Sequence, residues 1–449
     1  MSGWLLNVVY LLACILASPV WLTRMVRHGR YRSDWAQRLG RIPRRYSLQP
    51  VIWIHGVSVG EVNAAQALVA ELHSQLPDFQ VVLSSTTDTG AAAARRLFAP
   101  DHVVFRWPWD FTFAVRAALE RQRPSIVILM EGDVWPNFVA RCRRRGIPVV
   151  VVNGRLGPRK GYPRYRLVRP LAARLFNSLS AIGVQHETYA ELFARLGVPA
   201  DKLAVTGMMK YDTAAIADRV DGQEALAAAL AIAPTERLLV AGGTGPGEEA
   251  VVLDAYRRLR QGGNAGAVRL AIVPRKPERF DEVARLIARR GFDLVRRSQR
   301  PDGAAAAVAG GPNCVILGDS MGELRKFYAL SFAAFVGRSL VPEGGSDMIE
   351  AAALAKPVAF GPHTFNFPQA QSLVDAGCAR RVADAAELAA ALADWLAEPS
   401  AAGAMGRQAQ DFVRSRRGAT RRNVELICRI LGRVPAPAPG GIATPAIAP

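Results

Sequence analysis

Paired cysteines are missing from this sequence. The five present, Cys14, Cys142, Cys314, Cys378 and Cys428, stand far apart with no CxxC spacing, which excludes a disulfide framework and a zinc site built on such pairs. A reducing compartment is the default. Acidic charge is also scarce: 38 Asp and Glu stand against 57 Lys and Arg, a formal net charge of +19. Such a chain is drawn to polyanions, whether nucleic acid, an anionic membrane or a phosphorylated substrate. There is no solenoid repeat, no P-loop ending in G-K-[ST], no GxGxxG fingerprint and no recognised nucleic-acid module, so nucleic-acid binding is poorly supported.

A long uncharged run opens the chain. Residues 3–22, "GWLLNVVYLLACILASPVWL", have the length needed to cross a bilayer core. Arg24, Arg27, Arg30, Arg32, Arg38, Arg41, Arg44 and Arg45 follow, with Asp34 the sole acid among them, so this flank is expected to stay cytoplasmic. A cleaved signal carries its charges before the apolar run, and here they come after, which favours an uncleaved anchor. Asn7 and Pro19 interrupt the run, and an interfacial helix stays open as an alternative.

At 449 residues the chain is too long for one ordinary core. Short β-branched runs, "VIWIH", "VVLSS", "SIVILM", "PVVVV", "AIGVQ" and "LAVTG", alternate with helical patterns, and a second set, "LLVAGGT", "LAIVP", "FDLV", "CVILGD", "AAFVG" and "PVAFG", follows an alanine-rich hinge at residues 221–234. Strands apolar on both faces belong to parallel sheets covered by helices. The expectation is α/β: two doubly wound, Rossmann-like domains facing a cleft, at residues 24–220 and 221–433, after an anchor at 1–23 and before a Pro/Ala/Gly-rich disordered tail at 434–449.

In such sheets ligands bind beyond the carboxyl ends of strands. The first run ends in "HGVSVGE", where Ser58 and Glu61 have the spacing of a capping box. His55, Gly56 and Gly60 beside them suit a ligand site, so cap and catalytic base both remain open for Glu61. "SSTTDTG" (residues 84–90), leading to Arg95 and Arg96, reads as a helix cap or an anion site. "MEGDVWPN" delivers Glu131 and Asp133 from a buried strand, carboxylates costly to leave unpaired, with bases of "NGRLGPRKGYPRYR" as candidate partners. In the second half "GGTGPGEE" suits a phosphate at a helix start, Arg275 follows the next strand, Glu323 lies in "GDSMGELRKFY", and Glu350 follows the Gly-Gly turn of "GRSLVPEGGSDMIEAAA". Four such strand ends together point to a nucleotide pocket.

With those residues in place, the chain resembles the Kdo transferases, which move 3-deoxy-D-manno-octulosonic acid from CMP-Kdo onto a lipid A precursor. The motifs "RYRSDWAQRLGR", "SVGE", "WPN", "VPRKPERF", "MGEL", "SLVPEGG" and "GPHTFNFPQ" run in the family's order over almost the whole chain. The resemblance implies a GT-B glycosyltransferase, inverting and needing no metal or other cofactor. It implies Glu61 as general base, with Ser58, Gly60, Glu131 and Lys210 on the acceptor side. On the donor side it implies Thr244, Pro274, Arg275, Met321, Gly322, Glu323, Gly345, Ser346, Asp347 and Glu350 around the CMP-sugar. It also implies a place at the inner membrane, catalytic domains on the cytoplasmic face. The helix dipole should stabilise ionised Glu61 and leave it an available but weak base.

Departures fall on both sides, and the familiar E-T-E-L-W-P-N appears as Glu131-Gly132-Asp133-Val134-Trp135-Pro136-Asn137. Gly344-Gly345-Ser346-Asp347 stands where the family usually has G-G-H-N, Gly242-Gly243-Thr244-Gly245 where it has G-S-T-H, and Arg338 where glycine is common. Asp347 should repel an anionic donor unless Arg338 or another base compensates. A related glycosyltransferase with another activated acidic sugar or lipid acceptor is the first alternative, and a non-catalytic membrane-surface binding protein is the second.

Overall fold

The computed structural model describes residues 3–28, 33–158, 161–262, 268–301 and 313–434, without the side chains of Val20, Trp21, Leu22, Arg24 and His28. Two compact units emerge. One comprises the chain up to Thr213 together with the segment from Arg417 onward, and the other is Ala214–Arg416.

The first unit is built on seven strands: β1 (Val51–His55), β2 (Gln80–Ser85), β3 (Val103–Arg106), β4 (Ile126–Met130), β5 (Val149–Gly154), β6 (Ala181–Val184) and β7 (Leu203–Val205). They form one parallel sheet in the order β3-β2-β1-β4-β5-β6-β7. Alternation along β1 explains the buried runs. Val51 and Trp53 enter one core with Phe105, Trp107 and Phe138, while Ile52 and Ile54 enter the opposite one with Leu68 and Ile128.

The second unit repeats the plan with β8 (Arg237–Thr244), β9 (Val268–Pro274), β10 (Asp293–Arg296), β11 (Cys314–Leu317), β12 (Ser331–Val336), β13 (Val358–Phe360) and β14 (Ala379–Arg381). Its order is β10-β11-β9-β8-β12-β13-β14, again all parallel. The switch point lies beside β8, as it lies beside β1 in the first sheet.

The division differs from the one read in sequence, which kept residues 221–433 together. Helix Ala419–Ile430 belongs to the first unit: Val424, Leu426, Ile427 and Cys428 share a core with Ile52, Ile54 and Val150. The Asp212 carboxylate accepts the amides of Gly418, at 2.6 Å, and Thr420, at 2.5 Å, which fixes the start of that helix. The expected disordered tail, from residue 435 onward, lies outside the described residues, as do Arg30, Arg32, Arg159 and Lys160.

The first helix, Gly3–His28, forms over the uncharged run. Among the described residues no helix is long and apolar enough to cross a membrane, so the expected spanning anchor is not what they show; the end of the run, Val20 to Leu22, has no described side chains. The helix is instead tied to the first unit by its polar residues. Asn7 Nδ2 donates to Thr112 Oγ1 at 2.7 Å, Thr112 N–H donates back to Asn7 Oδ1 at 3.1 Å, and Tyr10 Oη donates to Asp110 Oδ2 at 2.9 Å. Trp4, Leu11, Leu12, Ile15 and Leu16 remain exposed.

The segment after it owes its shape to a buried cation. Arg106, at the end of β3, is 1% exposed; it pairs with Asp34 at 2.9 Å and with Asp88, and donates to the Thr87 carbonyl at 2.7 Å. Asp34, in the left-handed region at φ 63°, also accepts from Arg95 at 2.7 Å, and Arg38 reaches Asp88 at 3.3 Å. Arg95 is thus committed to structure, and "SSTTDTG" caps its helix through Thr87 Oγ1 and the Gly90 amide, 3.0 Å apart. Arg106→Gln should destabilise the first unit by about 1.5–3 kcal/mol, since it removes the buried cation that Asp34 and Asp88 share and leaves each with one arginine partner. Urea unfolding followed by tryptophan fluorescence measures this, and an unchanged midpoint would refute it.

Candidate active site

Glu61 sits in the first turn of helix Val59–Gln75, directly after β1. Ser58 caps the helix: its Oγ accepts from Glu61 N–H at 3.4 Å, and Glu61 Oε1 accepts from Ser58 N–H at 3.3 Å and from Ser58 Oγ at 2.8 Å. Glu61 Oε2 accepts the Val57 amide at 2.9 Å. The capping box is therefore real, yet the residue is only 8% exposed. Burial raises its pKa above the ordinary carboxylate value; the Val57 amide opposes this, the Glu131 charge adds to it, and Ser58 and His55 oppose it. The expectation of a base weakened by the helix dipole is thereby reversed. A Cβ added at Gly60 would meet Ser58 Oγ at 3.8 Å, an ordinary contact, and Gly56 packs close to Glu61 Cβ.

His55, the last residue of β1, is buried and stacks on Trp107 with ring centroids 3.9 Å apart. Its Nδ1 lies 3.0 Å from Ser84 Oγ, its Nε2 3.2 Å from Thr86 Oγ1 and 3.7 Å from Asp133 Oδ2. Burial would raise Asp133, but His55 and the Trp135 indole N–H outweigh it and hold the carboxyl low. Trp135 donates to Asp133 at 2.9 Å, which sets the turn into helix Pro136–Arg144.

Glu131 follows β4 with φ 57°, a conformation costly for a side chain with a Cβ, and Gly132 continues it at φ 110°. This sharp turn aims Glu131 toward Asn153, whose Nδ2 lies 3.5 Å from Glu131 Oε1. Burial raises Glu131 as well, with the charges of Arg155 and Lys210 working against it. Lys210 opens helix Lys210–Thr213 beside Met209, whose amide donates to Asn153 Oδ1 at 3.1 Å. The structure thus sets Ser58, Gly60 and Glu61 after β1 and Glu131 after its neighbour β4, and brings Lys210, which follows the edge strand β7, within charge range of Glu131.

Sequence reading passed over two supports of this group. Asn153, at φ 52° one residue before the end of β5, orients both Glu131 and the segment before Lys210. Asp110 accepts the amides of Asn137 at 2.9 Å and Phe138 at 2.7 Å, fixing the "WPN" helix, and burial pushes its pKa up to about 6. The available signal was a single polar residue after an apolar run, "VVVVN" and "RWPWD".

In the second unit, the loops after β8, β9 and β12 are tied to one another. Glu248, fully buried, accepts the amides of Gly245 at 2.9 Å, Ser339 at 2.7 Å and Leu340 at 2.7 Å, and also that of Arg338. Within "GGTGPGEE", one amide expected for phosphate therefore serves the chain's own carboxylate. Thr244 Oγ1 donates to Glu249 at 2.8 Å, and Glu249 pairs with Arg279 at 2.6 Å. Ser346 Oγ donates to the Gly243 carbonyl at 2.8 Å, Gly345 takes φ 88°, and Asp347 accepts the Ile349 amide at 3.2 Å.

Pro274 closes β9, and the Arg275 amide donates to the Thr244 carbonyl at 3.1 Å, leaving its side chain exposed. Met321 is exposed in the turn with Gly322, at φ 83°, and Glu350 lies in the first turn of the short helix Ile349–Ala352. Glu323 stands apart in a two-pronged pair with Arg297, at 2.8 and 2.9 Å, which drives its pKa down to about 2. Arg338, the suggested partner of Asp347, pairs with Glu343 at 2.8 Å.

A buried carboxylate with a raised pKa must lose its proton before it can act as a base, so activity should climb as pH passes that value. The acid limb of kcat/KM should lie above the ordinary glutamate value and shift to lower pH in Glu131→Gln, which removes the neighbouring charge. A limb unmoved by that substitution would show that the two carboxylates do not interact.

Three comparisons bear on identity. A family model described as 3-deoxy-D-manno-octulosonic-acid transferase (kdotransferase) matches residues 33–213. A 3-deoxy-D-manno-octulosonic acid transferase of Bordetella pertussis is 34% identical over 437 residues, covering 93% of this chain and 97% of that one, and its counterpart from Haemophilus influenzae is 33% identical over 348 residues, covering 77% and 78%. Among solved structures, a glycosyltransferase from Rickettsia africae superposes with a TM-score of 0.60 at 14% identity, over 86% of this chain and 99% of that one, a likeness of GT-B-like fold alone. With strand-end carboxylates held by the fold and a relative matched nearly end to end, the chain belongs to the 3-deoxy-D-manno-octulosonic acid transferase family and is a glycosyltransferase enzyme.

Proposed function

We propose that this Kdo transferase takes its sugar from CMP-Kdo and delivers it, with inversion, to a hydroxyl of a phosphorylated lipid A precursor. The observation that carries the reading is Glu61, a buried carboxylate whose pKa is raised by its surroundings. As base it removes the proton of the acceptor hydroxyl. The freed oxygen forms a bond to the anomeric carbon while the bond from that carbon to the CMP phosphate oxygen breaks, and CMP leaves with the electron pair. Glu131 and Lys210 orient the acceptor. Thr244, Arg275, Gly345 and Ser346 lie on loops suited to holding a nucleotide, with Arg275 available to stabilise the departing phosphate.

The location proposed is the cytoplasmic face of the inner membrane. The exposed apolar residues of the first helix and the arginine-rich segments after it support that reading, with the helix lying in the interface.

Glu61→Gln separates chemistry from capping, because glutamine also serves at this position of a capping box. In a detergent assay with CMP-Kdo generated in place and a tetra-acylated lipid A precursor, the variant should keep its thermal midpoint and lose about 10²–10⁴-fold in kcat. Full activity would reduce Glu61 to a cap. A folded, CMP-binding parent with no product would mean that another activated sugar or acceptor is used.

A further inference from the structure

The first unit contains a second concavity, of about 300 Å³, between helices Pro136–Arg144 and Arg169–Phe176, with Gly3 and Leu6 of the first helix along one side. Val139, Ala140, Val168, Leu171 and Leu175 make its walls apolar. Its size is at the lower end of the roughly 300–1,000 Å³ of small-molecule sites.

Three arginines, Arg141, Arg144 and Arg174, also line it. None has an acidic partner among the described residues, and the Arg141 Nε is buried with no hydrogen-bond partner. A buried, unpaired guanidinium nitrogen is costly in the absence of an acceptor. Around the cavity the surface is apolar and open: Leu167 is 85% exposed, Trp4 73%, Phe113 57% and Leu171 49%. A slot with hydrocarbon walls, cations along it and an apolar surround matches a single lipid chain whose head is an anion.

We propose that this cavity holds one acyl chain of an anionic glycerophospholipid of the bilayer, with its phosphate against Arg141 and Arg174. The capacity fits one chain better than the several chains of the proposed acceptor, which favours a bilayer lipid as the occupant. The inference rests on the membrane-surface reading above and is independent of the sugar donor. Because helix Pro136–Arg144 starts at the turn fixed by Asp133 and Trp135, a lipid seated there would also brace the wall behind the catalytic carboxylates.

The test uses the full chain in neutral detergent, exchanged with equal parts of phosphatidylglycerol and phosphatidylcholine, with retained lipid counted by native mass spectrometry. One phosphatidylglycerol per chain is expected, enriched about tenfold over phosphatidylcholine, which bears the same phosphate but also a choline cation that the three arginines repel. Ala140→Phe, which fills the slot from a half-buried position, should abolish retention. Arg141→Gln should keep a bound lipid and lose the preference for the anionic head. Equal retention of both lipids by the parent, no retained lipid, or retention unchanged in Ala140→Phe would overturn the proposal. Displacement of the phosphatidylglycerol by a tetra-acylated lipid A precursor would assign the slot to the acceptor and likewise overturn it. Flotation with vesicles of the same two lipids checks the membrane reading separately. Ala140→Phe that floats but retains no lipid supports the slot, and a parent that retains lipid but never floats refutes the membrane reading alone.

Discussion

A glutamate in the first turn of a helix, folded back onto the amides of the loop before it, is the constraint on which both units rely. Glu61 does this after β1 with the Val57 and Ser58 amides, and Glu248 after β8 with the amides of Gly245, Ser339 and Leu340. A carboxylate removed from water is tolerable only when its oxygens are bonded. Each therefore fixes the shape of the loop that satisfies it. The two differ in outcome: Glu248 is wholly enclosed and joins the loops after β8 and β12, while Glu61 keeps a small exposure and stands near a second carboxylate.

That second carboxylate stands where the site of the first unit carries backbone strain. Glu131 and Asn153 both take positive φ at the ends of adjacent strands, and Asn153 Nδ2 lies 3.5 Å from Glu131 Oε1. The parallel register supplies the closeness, and the left-handed residues supply the aim. The cost of the strained turn is offset by the buried strands on either side, whose apolar residues leave the strand ends little freedom.

The strands were readable because runs such as "VIWIH" are apolar on both faces, a pattern that few other structures produce. The capping box was readable from Ser58 and Glu61 alone, since its geometry is local. The elevated pKa was not, because it depends on burial and on Glu131, which is brought near by sheet pairing. Asn153, Asp110 and Glu248 act through backbone amides of distant segments, and a lone polar letter gives no hint of such partners. Leu426 and Ile427 would look the same packed on either sheet, so the return of the last helix could not be read from its apolar face. In the first helix, Asn7 and Tyr10 were the letters that marked a side facing protein, submerged in an otherwise apolar run.

The return of helix Ala419–Ile430 also bears on how the molecule is made. Ile52 and Ile54, in the first strand described, share a core with Val424 and Ile427, among the last described residues. During translation the second unit can close on itself while the first still lacks a wall of its core. A nascent polypeptide stalled shortly before residue 419 would therefore present an unfinished apolar face to the cell's chaperones.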